Sequence, residues 1–224
     1  VAAARAAQPL WWAAGIQKRH DVLMAIGTEL MARAGEIGTL LAREEGKTLA
    51  EGKGEVYRAG QFFTYYAAEA LRLIGDHAQS VRPGIEIDVR REALGVVAII
   101  SPWNFPVATP AWKIAPALAF GNAVVWKPAN LTPASAVALT EIITRQDIPA
   151  GLFNLVAGAG RDVGQHVFVQ PHVHLGRIGH CVRRAMQFFG QRLAGGQAAV
   201  EVQQLEQVHD GRAPVEFLRV GGGA

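Results

Sequence analysis

An asparagine between two prolines is the first residue in this sequence whose type and position suggest chemistry. Asn104 follows the apolar run 95–100, in the segment Ser101-Pro102-Trp103-Asn104-Phe105-Pro106. Open α/β sheets bind ligands in loops at the carboxyl ends of their strands. A fixed amide there can hydrogen-bond a carbonyl oxygen that gains negative charge during nucleophilic attack. The alternative is that Asn104 only caps the helix that follows.

Lys127 and a glycine-rich turn stand at the ends of two further apolar runs. Lys127 closes the run 122–127, where a single cation can reach a ribose hydroxyl or a phosphate. Otherwise it is a solvated lysine that terminates a strand. Gly158-Ala159-Gly160 precedes a helical pattern and would let backbone approach a ligand, with Gly164 keeping that helix close to the sheet. A Gly-x-Gly segment is also an ordinary strand-to-helix turn.

The single cysteine, Cys181, stands between His180 and Arg183, residue types that can activate a thiol. One cysteine excludes a disulfide framework and any Cys-based zinc site, and it fits a reducing compartment. The favoured interpretation of Cys181 is an incidental thiol, and a Cys181-based hydrolase is the alternative.

The elements that must position these residues can be read from hydrophobic periodicity. Residues 2–73 have a helical period and predict two or three amphipathic helices, broken near Gly46 and Gly52. A hairpin arm is predicted over about 79–92, with its turn at Pro83-Gly84. Strands and helices then alternate, which predicts an α/β fold with a parallel sheet and flanking helices. The predicted strands are 95–100, 122–127 and 152–156, and the predicted helices are 109–120, 133–143 and 162–169.

Composition excludes several classes of protein. Twenty-two Lys and Arg against nineteen Asp and Glu give a net charge of +3 without any basic run, which argues against a nucleic-acid partner. The apolar runs are too short to span a bilayer, and the N-terminus lacks a signal-type apolar core. We therefore expect a cytoplasmic protein with no membrane partner. The start at Val1, inside an alanine-rich helical pattern, suggests that the sequence begins within an element.

Several segments together resemble the NAD(P)-dependent aldehyde dehydrogenase superfamily over about residues 1–173. Within that family, Arg43–Glu51 and Ser80–Gly84 are most similar to α-ketoglutaric semialdehyde dehydrogenases. The segments that carry the family resemblance are Leu41–Thr48, Gly95–Pro106, Trp112-Lys113, Pro116–Asn122, Lys127-Pro128-Ala129, Pro149-Ala150-Gly151, Asn154-Leu155-Val156 and Gly158-Ala159-Gly160.

The resemblance implies a fold and a set of site residues. The fold would be the Rossmann-like, coenzyme-binding part of an incomplete aldehyde dehydrogenase, and the arm at 79–92 would serve oligomerisation, because full-length family members form homo-oligomers. Asn104 would stabilise the oxyanion. The coenzyme cleft would be lined by Ile100, Ser101, Pro102 and Trp103, with Lys127, Gly158 and Gly164 on the adenosine side.

The resemblance also implies the coenzyme and the substrate class. The family usually has an acidic residue three positions after the lysine, where it accepts hydrogen bonds from the adenosine ribose, whereas this sequence has Asn130. A neutral amide repels a 2′-phosphate less, so the coenzyme is expected to be NAD or NADP. The implied reaction oxidises a small-molecule aldehyde or semialdehyde to the carboxylate, through thiolate attack, hydride transfer and thioester hydrolysis.

The likeness stops near His174. The family's Phe-Thr-Gly-Ser type loop is replaced, and residues 174–224 contain no Ser, Thr, Lys, Asn, Tyr or Trp. We therefore expect a partial coenzyme-binding domain over 1–173 and a non-family, poorly ordered tail over 174–224, produced by a shifted reading frame or an assembly error.

The family's nucleophilic cysteine would lie further beyond Asn104 than this sequence extends, so Cys181 is too early. The interpretation is a fragment of an aldehyde dehydrogenase that is inactive on its own. The alternative is a catalytically inactive dinucleotide-binding or assembly fragment.

Overall fold

In the part of the chain that the structure describes, four helices come first and a parallel sheet with two further helices follows. The computed structural model describes residues 1–160, 162–163 and 173–175. They form two units: the first combines Val1–Leu73 with the chain from Glu92 onward, and the second contains Ile74–Arg91.

The opening helices of the first unit begin and end at clear local signals. α3 ends at Gly46, where a break is predicted, and Gly46 has the left-handed conformation with φ of 88°. Two residues later, Thr48 and Glu51 form a capping box that starts α4, because each side chain accepts a hydrogen bond from the other's backbone N–H. The four helices are α1 (Ala2–Ala13), α2 (Gly15–Ala32), α3 (Ala34–Glu45) and α4 (Leu49–Ala70).

Gly52 does not break a helix, so that part of the prediction is wrong. It lies inside α4 and is buried against α3, where an added Cβ would stand 2.5 Å from the Gly38 carbonyl oxygen. A similar contact joins α4 to α2, because a Cβ on Gly60 would lie 2.7 Å from the Gly27 carbonyl oxygen. Glycine is retained at these positions because two helix backbones approach there, which outweighs its low helix propensity.

The remaining elements of the first unit are the predicted parallel sheet and two helices. Its strand order is β5-β4-β3-β6, and all three pairings are parallel. Four consecutive residues of β3 and all of β4 are buried, as expected of strands covered on both faces. The elements are β3 (Val96–Ile100), α5 (Ala108–Ala119), β4 (Ala123–Lys127), α6 (Pro133–Thr144), β5 (Phe153–Leu155) and β6 (Val173–Leu175).

The second unit contains the antiparallel hairpin. Strands β1 (Asp76–Gln79) and β2 (Glu86–Val89) pair in register, and the turn between them has Gly84 at φ of 77°. The arm thus begins three residues earlier than predicted, and almost all of its strand residues are exposed. Separately, none of the described helices combines the length and the apolar character needed to cross a membrane.

Candidate functional site

Two parallel strands end side by side at the carboxyl edge of the sheet. Ile100, the last residue of β3, pairs with Lys127, the last residue of β4. One residue further on, the Ser101 backbone N–H donates to the Lys127 carbonyl oxygen at 3.3 Å. The loop that carries Asn104 and the predicted coenzyme lysine therefore leave the sheet from the same edge, as the sequence predicts for parallel strands.

Lys127 is buried, so the interpretation as a solvated lysine is wrong. Only 8% of the residue is exposed, and its ammonium donates to the Pro128 carbonyl oxygen at 2.8 Å and to Asn130 Oδ1 at 3.2 Å. Among the described residues no carboxylate forms an ion pair with it. A buried cation bonded only to neutral oxygens has an uncompensated charge, which favours an anionic ligand nearby.

Ser101 and Ile100 are tied into the protein by their own contacts. Ser101 is 4% exposed, and its Oγ accepts a hydrogen bond from Trp126 Nε1 at 2.9 Å. The Ile100 carbonyl oxygen accepts from Lys113 Nζ at 3.0 Å, whereas the Ile100 side chain is exposed. Of the four predicted cleft residues, Ile100, Pro102 and Trp103 thus present exposed side chains, and Ser101 turns inward to satisfy a buried indole.

Asn104 is exposed and lies beside a cleft of about 470 Å³. One wall is formed by Asn104, Phe105 and Ala108, and the other by residues between Glu45 and Arg58. No described residue hydrogen-bonds the Asn104 side-chain amide; the contact that Asn104 does make is through its backbone carbonyl oxygen, 3.2 Å from Lys47 Nζ. The amide is therefore available to a ligand in the cleft.

The N-terminus of α5 is capped by a residue from α4, and Asn104 does not cap it. Glu55 Oε1 accepts hydrogen bonds from the Val107 N–H at 2.9 Å and the Ala108 N–H at 3.0 Å. Val107 itself, at the N-cap position, makes no side-chain capping bond. The interpretation of Asn104 as a simple helix cap is thus wrong, because a carboxylate from another helix occupies that role.

The N-terminus of α6 is capped in the same way from the end of α3. The Glu44 carboxylate accepts from the Ala134 N–H at 2.6 Å and from the Ser135 N–H at 2.8 Å. The Ser135 hydroxyl also donates to it at 2.6 Å. Both helix N-termini that follow β3 and β4 are therefore occupied by carboxylates, and neither offers free N–H groups to a coenzyme phosphate.

Sequence reasoning did not identify Glu44, Lys47 or Glu55 as site residues. Glu55 lies 52 and 53 residues from the N–H groups it caps, and Glu44 lies 90 and 91 residues from its partners. Such separations leave no local spacing signal. The capping box at Thr48 is the only local pattern near these residues that could have placed them at a helix start.

The glycine turn is partly described. Gly158 has φ of 143°, and a Cβ there would stand 2.6 Å from Val163 Cγ2, so both conformation and space require glycine. Gly164 lies outside the described residues, as do Cys181 and nearly all of the predicted tail. Hydrogen bonds bring Ser101 to Trp126 and Lys127 to Asn130. Asn104 instead lines the cleft against α4, and Lys127 is not among the residues that line this cleft.

Comparisons with known proteins match most of the chain to one family. The aldehyde dehydrogenase family matches residues 1–177. Alpha-ketoglutaric semialdehyde dehydrogenase of Bacillus subtilis is 39% identical over 203 residues, covering 89% of this chain and 40% of that protein. Succinate-semialdehyde dehydrogenase [NADP(+)] of Escherichia coli is 39% identical over 171 residues, covering 76% of this chain and 36% of that protein.

A solved structure has the same fold over the same region. The NADP-dependent glyceraldehyde-3-phosphate dehydrogenase of Bacillus halodurans, complexed with NADP, matches with a TM-score of 0.73 and 37% identity over 76% of this chain and 37% of that one. The chain spans about a third of the length of the first curated relatives it matches, 34% and 35%. The non-family tail stays a prediction, although the B. subtilis alignment extends past residue 177. The fold, the strand-end loops and the match over residues 1–177 show that the chain belongs to the aldehyde dehydrogenase family.

Proposed function

We propose that this chain forms the coenzyme side of an NAD(P)-dependent enzyme that oxidises an aldehyde or semialdehyde to the carboxylate. Lys127 and Asn130 would hold the adenosine end of the coenzyme, and the Asn104 amide would stabilise the oxyanion. Membership of the family and the semialdehyde dehydrogenases among the relatives support the reaction class. The buried, uncompensated charge of Lys127 is the observation that carries the proposal.

The residues present fit a dinucleotide, and they fit NADP as well as NAD. Lys127 supplies a positive charge that no described carboxylate neutralises, and Asn130 supplies a neutral side chain whose Oδ1 already accepts from Lys127. A carboxylate at position 130 would repel a 2′-phosphate, and an amide does not. Relatives that are named for NADP or were solved with it are consistent with this choice, although a similar enzyme was solved with NAD+. We therefore propose NADP as the preferred coenzyme.

The chemistry assigned to this chain's own residues is stabilisation of charge. When bound, the oxidised coenzyme accepts the hydride that leaves the aldehyde carbon. The Asn104 amide donates a hydrogen bond to the aldehyde oxygen, and this bond strengthens as negative charge grows on that oxygen. No cysteine occurs among the described residues, so the part of the chain that they cover contributes the oxyanion donor and coenzyme contacts and does not contribute the nucleophile.

Coenzyme binding by the 224-residue chain tests the proposal directly. Titration with NADPH and NADH, followed by coenzyme fluorescence, should give tighter binding of NADPH, by about tenfold for one charge-assisted phosphate contact. Lys127→Ala should remove that difference. Lys53→Ala removes the same charge from an exposed position on α4 and is the matched control. The proposed coenzyme site would be refuted if the wild-type chain bound neither nucleotide. It would also be refuted if Lys127→Ala bound NADPH as tightly as the wild-type chain does.

A second candidate function is an inactive dinucleotide-binding fragment, favoured by the lack of a cysteine among the described residues. Aldehyde-dependent formation of NADPH separates the two functions. If the chain turns over, Asn104→Ala should lower kcat about 10²–10³-fold, the effect of removing one oxyanion donor. Coenzyme binding without turnover, with any semialdehyde offered, would instead support the inactive fragment.

The hairpin arm is proposed to pair with a second copy of the chain. Among the residues that the structure describes, neither strand has a partner on its outer edge, and exposed edges readily add another strand. Sedimentation of the chain should show a dimer or larger assembly. Replacing Ile87 and Val89 by Pro and Lys should shift it toward monomer, and an unchanged assembly would remove the arm from the interface.

A further inference from the structure

Lys47 lies at the centre of a group of contacts in the first unit, which we call the Lys47 cluster: Lys47, Glu45 and Glu55. The Lys47 ammonium lies 2.6 Å from Glu55 Oε2 and 3.0 Å from Glu45 Oε2. It also donates to the Asn104 carbonyl oxygen at 3.2 Å, and it lies 4.5 Å from the centre of the Phe105 ring. One cation therefore joins two carboxylates to the loop that carries the proposed oxyanion amide.

Glu55 completes the cluster on the other side of the same loop. Its side chain is 2% exposed, and while Oε2 binds Lys47, Oε1 accepts from the Val107 and Ala108 N–H groups. The segment from Asn104 to Ala108 is thus held at both ends by one ion pair. In the described part of the chain, Lys47 is also the only group that hydrogen-bonds the Asn104 backbone.

We propose that the Lys47–Glu55 ion pair is a positioning device that fixes the Asn104 loop so that its amide faces the reacting oxygen. The inference rests on the proposed role of Asn104. Lys47 is assigned as a positioning residue because its ammonium is held by the protein's own oxygens: it donates to Glu55 Oε2 and to the Asn104 carbonyl oxygen, and it forms an ion pair with Glu45.

Burial makes this arrangement rigid. The side chains of Lys47, Glu45 and Glu55 are only 12%, 7% and 2% exposed, so water cannot easily replace the contacts between them. Removing Lys47 would leave two buried carboxylates without their cation and Asn104 without its backbone contact. The loop residues Pro102, Trp103 and Phe105 are exposed and offer little packing of their own. Without Lys47 the Asn104 loop should therefore become mobile while the sheet persists.

Nuclear magnetic resonance of the 224-residue chain tests this proposal. The Asn104 side-chain signals are assigned as the pair missing in Asn104→Ala, and backbone order parameters are measured at Asn104 and Phe105. Wild type should give values near the rigid limit of about 0.85, and Lys47→Met should fall toward about 0.6 with displaced Asn104 signals. Lys47→Arg keeps the charge and donors and should restore both readouts. Unchanged order parameters and signals in Lys47→Met would overturn the proposal.

The design separates this inference from the proposed coenzyme site. NADPH affinity, which depends on Lys127, should stay within twofold of wild type in Lys47→Met, whereas Lys127→Ala should lose affinity without moving the Asn104 signals. If wild type binds no coenzyme but Lys47→Met still mobilises the loop, the proposed function fails and the positioning role stands. Should Lys47→Met not fold, the double variant with Glu55→Gln leaves one fewer buried carboxylate unpaired and answers the same question. In a turning-over enzyme, Lys47→Met should lower kcat more than it changes KM.

Discussion

Two glycines lie on one helix, and replacing each by alanine should change the stability of the chain in opposite directions. Gly52 and Gly54 both lie within α4. A Cβ at Gly52 would stand 2.5 Å from the Gly38 carbonyl oxygen of α3, whereas a Cβ at Gly54 would meet nothing within 4 Å. Alanine gains about 0.5–1 kcal/mol over glycine in a helix interior. Only at Gly52 is that gain opposed by a backbone clash, which costs about 1–3 kcal/mol.

The two variants should therefore differ by the cost of the clash. The clash is with backbone and not with a flexible side chain, so we expect its cost to lie at the upper end of that range. The free energies of unfolding of the two variants should therefore differ by about 3 kcal/mol. At about 2–4 °C per kcal/mol for a chain of this size, Gly54→Ala should melt roughly 6–12 °C above Gly52→Ala. Thermal unfolding followed by far-UV circular dichroism measures the difference. A Gly52→Ala variant as stable as Gly54→Ala would refute the close helix crossing.

Two further predictions concern a buried hydrogen bond and acid stability. Ser101→Ala should destabilise the chain by about 1–3 kcal/mol in urea unfolding, because the buried Trp126 indole N–H loses its acceptor; a neutral effect would mean that the indole is satisfied elsewhere. Hydrogen bonds from Thr48 lower the pKa of Glu51 below its usual 4.5, so its contribution to stability is present above that pH and is lost as the pH falls through the folded pKa. Melting temperatures should show that Glu51→Gln is less stable near neutral pH and flatter in its acid dependence than wild type.

Periodicity was sufficient to predict the sheet and most of its helices. The runs ending at Ile100 and Lys127 lack the alternation of a one-sided strand, and both are central strands covered on two faces. Gly46 and Gly52 show the limit of such reasoning, because the same residue type ends one helix and packs inside another. The difference depends on the backbone of α3 lying across Gly52, which no local pattern contains.

The candidate site divides in a similar way. Asn104 and Lys127 can be predicted because Asn104 follows one apolar strand and Lys127 ends another, and parallel strands bring their carboxyl ends to one edge. Glu44, Lys47 and Glu55 could not be predicted in this way. They belong to a helical region whose charged residues resemble an ordinary solvated surface, and the residues that they contact are remote in sequence. The burial of Lys127 was also unexpected, since a lysine at a strand end is usually solvated; its contact with Asn130 explains how it is accommodated.

The remote capping of α5 and α6 has a consequence for how the protein folds. The bond that joins Gly95 to Asn122 closes a separation of 27 residues, whereas the bonds from Glu55 close 52 and 53 and those from Glu44 close 90 and 91. Contacts distant in sequence form late, because chain entropy is lost before they stabilise the structure. We therefore expect β3, β4 and β5 to pair before the opening helices dock, so that the loop of Asn104 acquires its shape only after these three strands have formed.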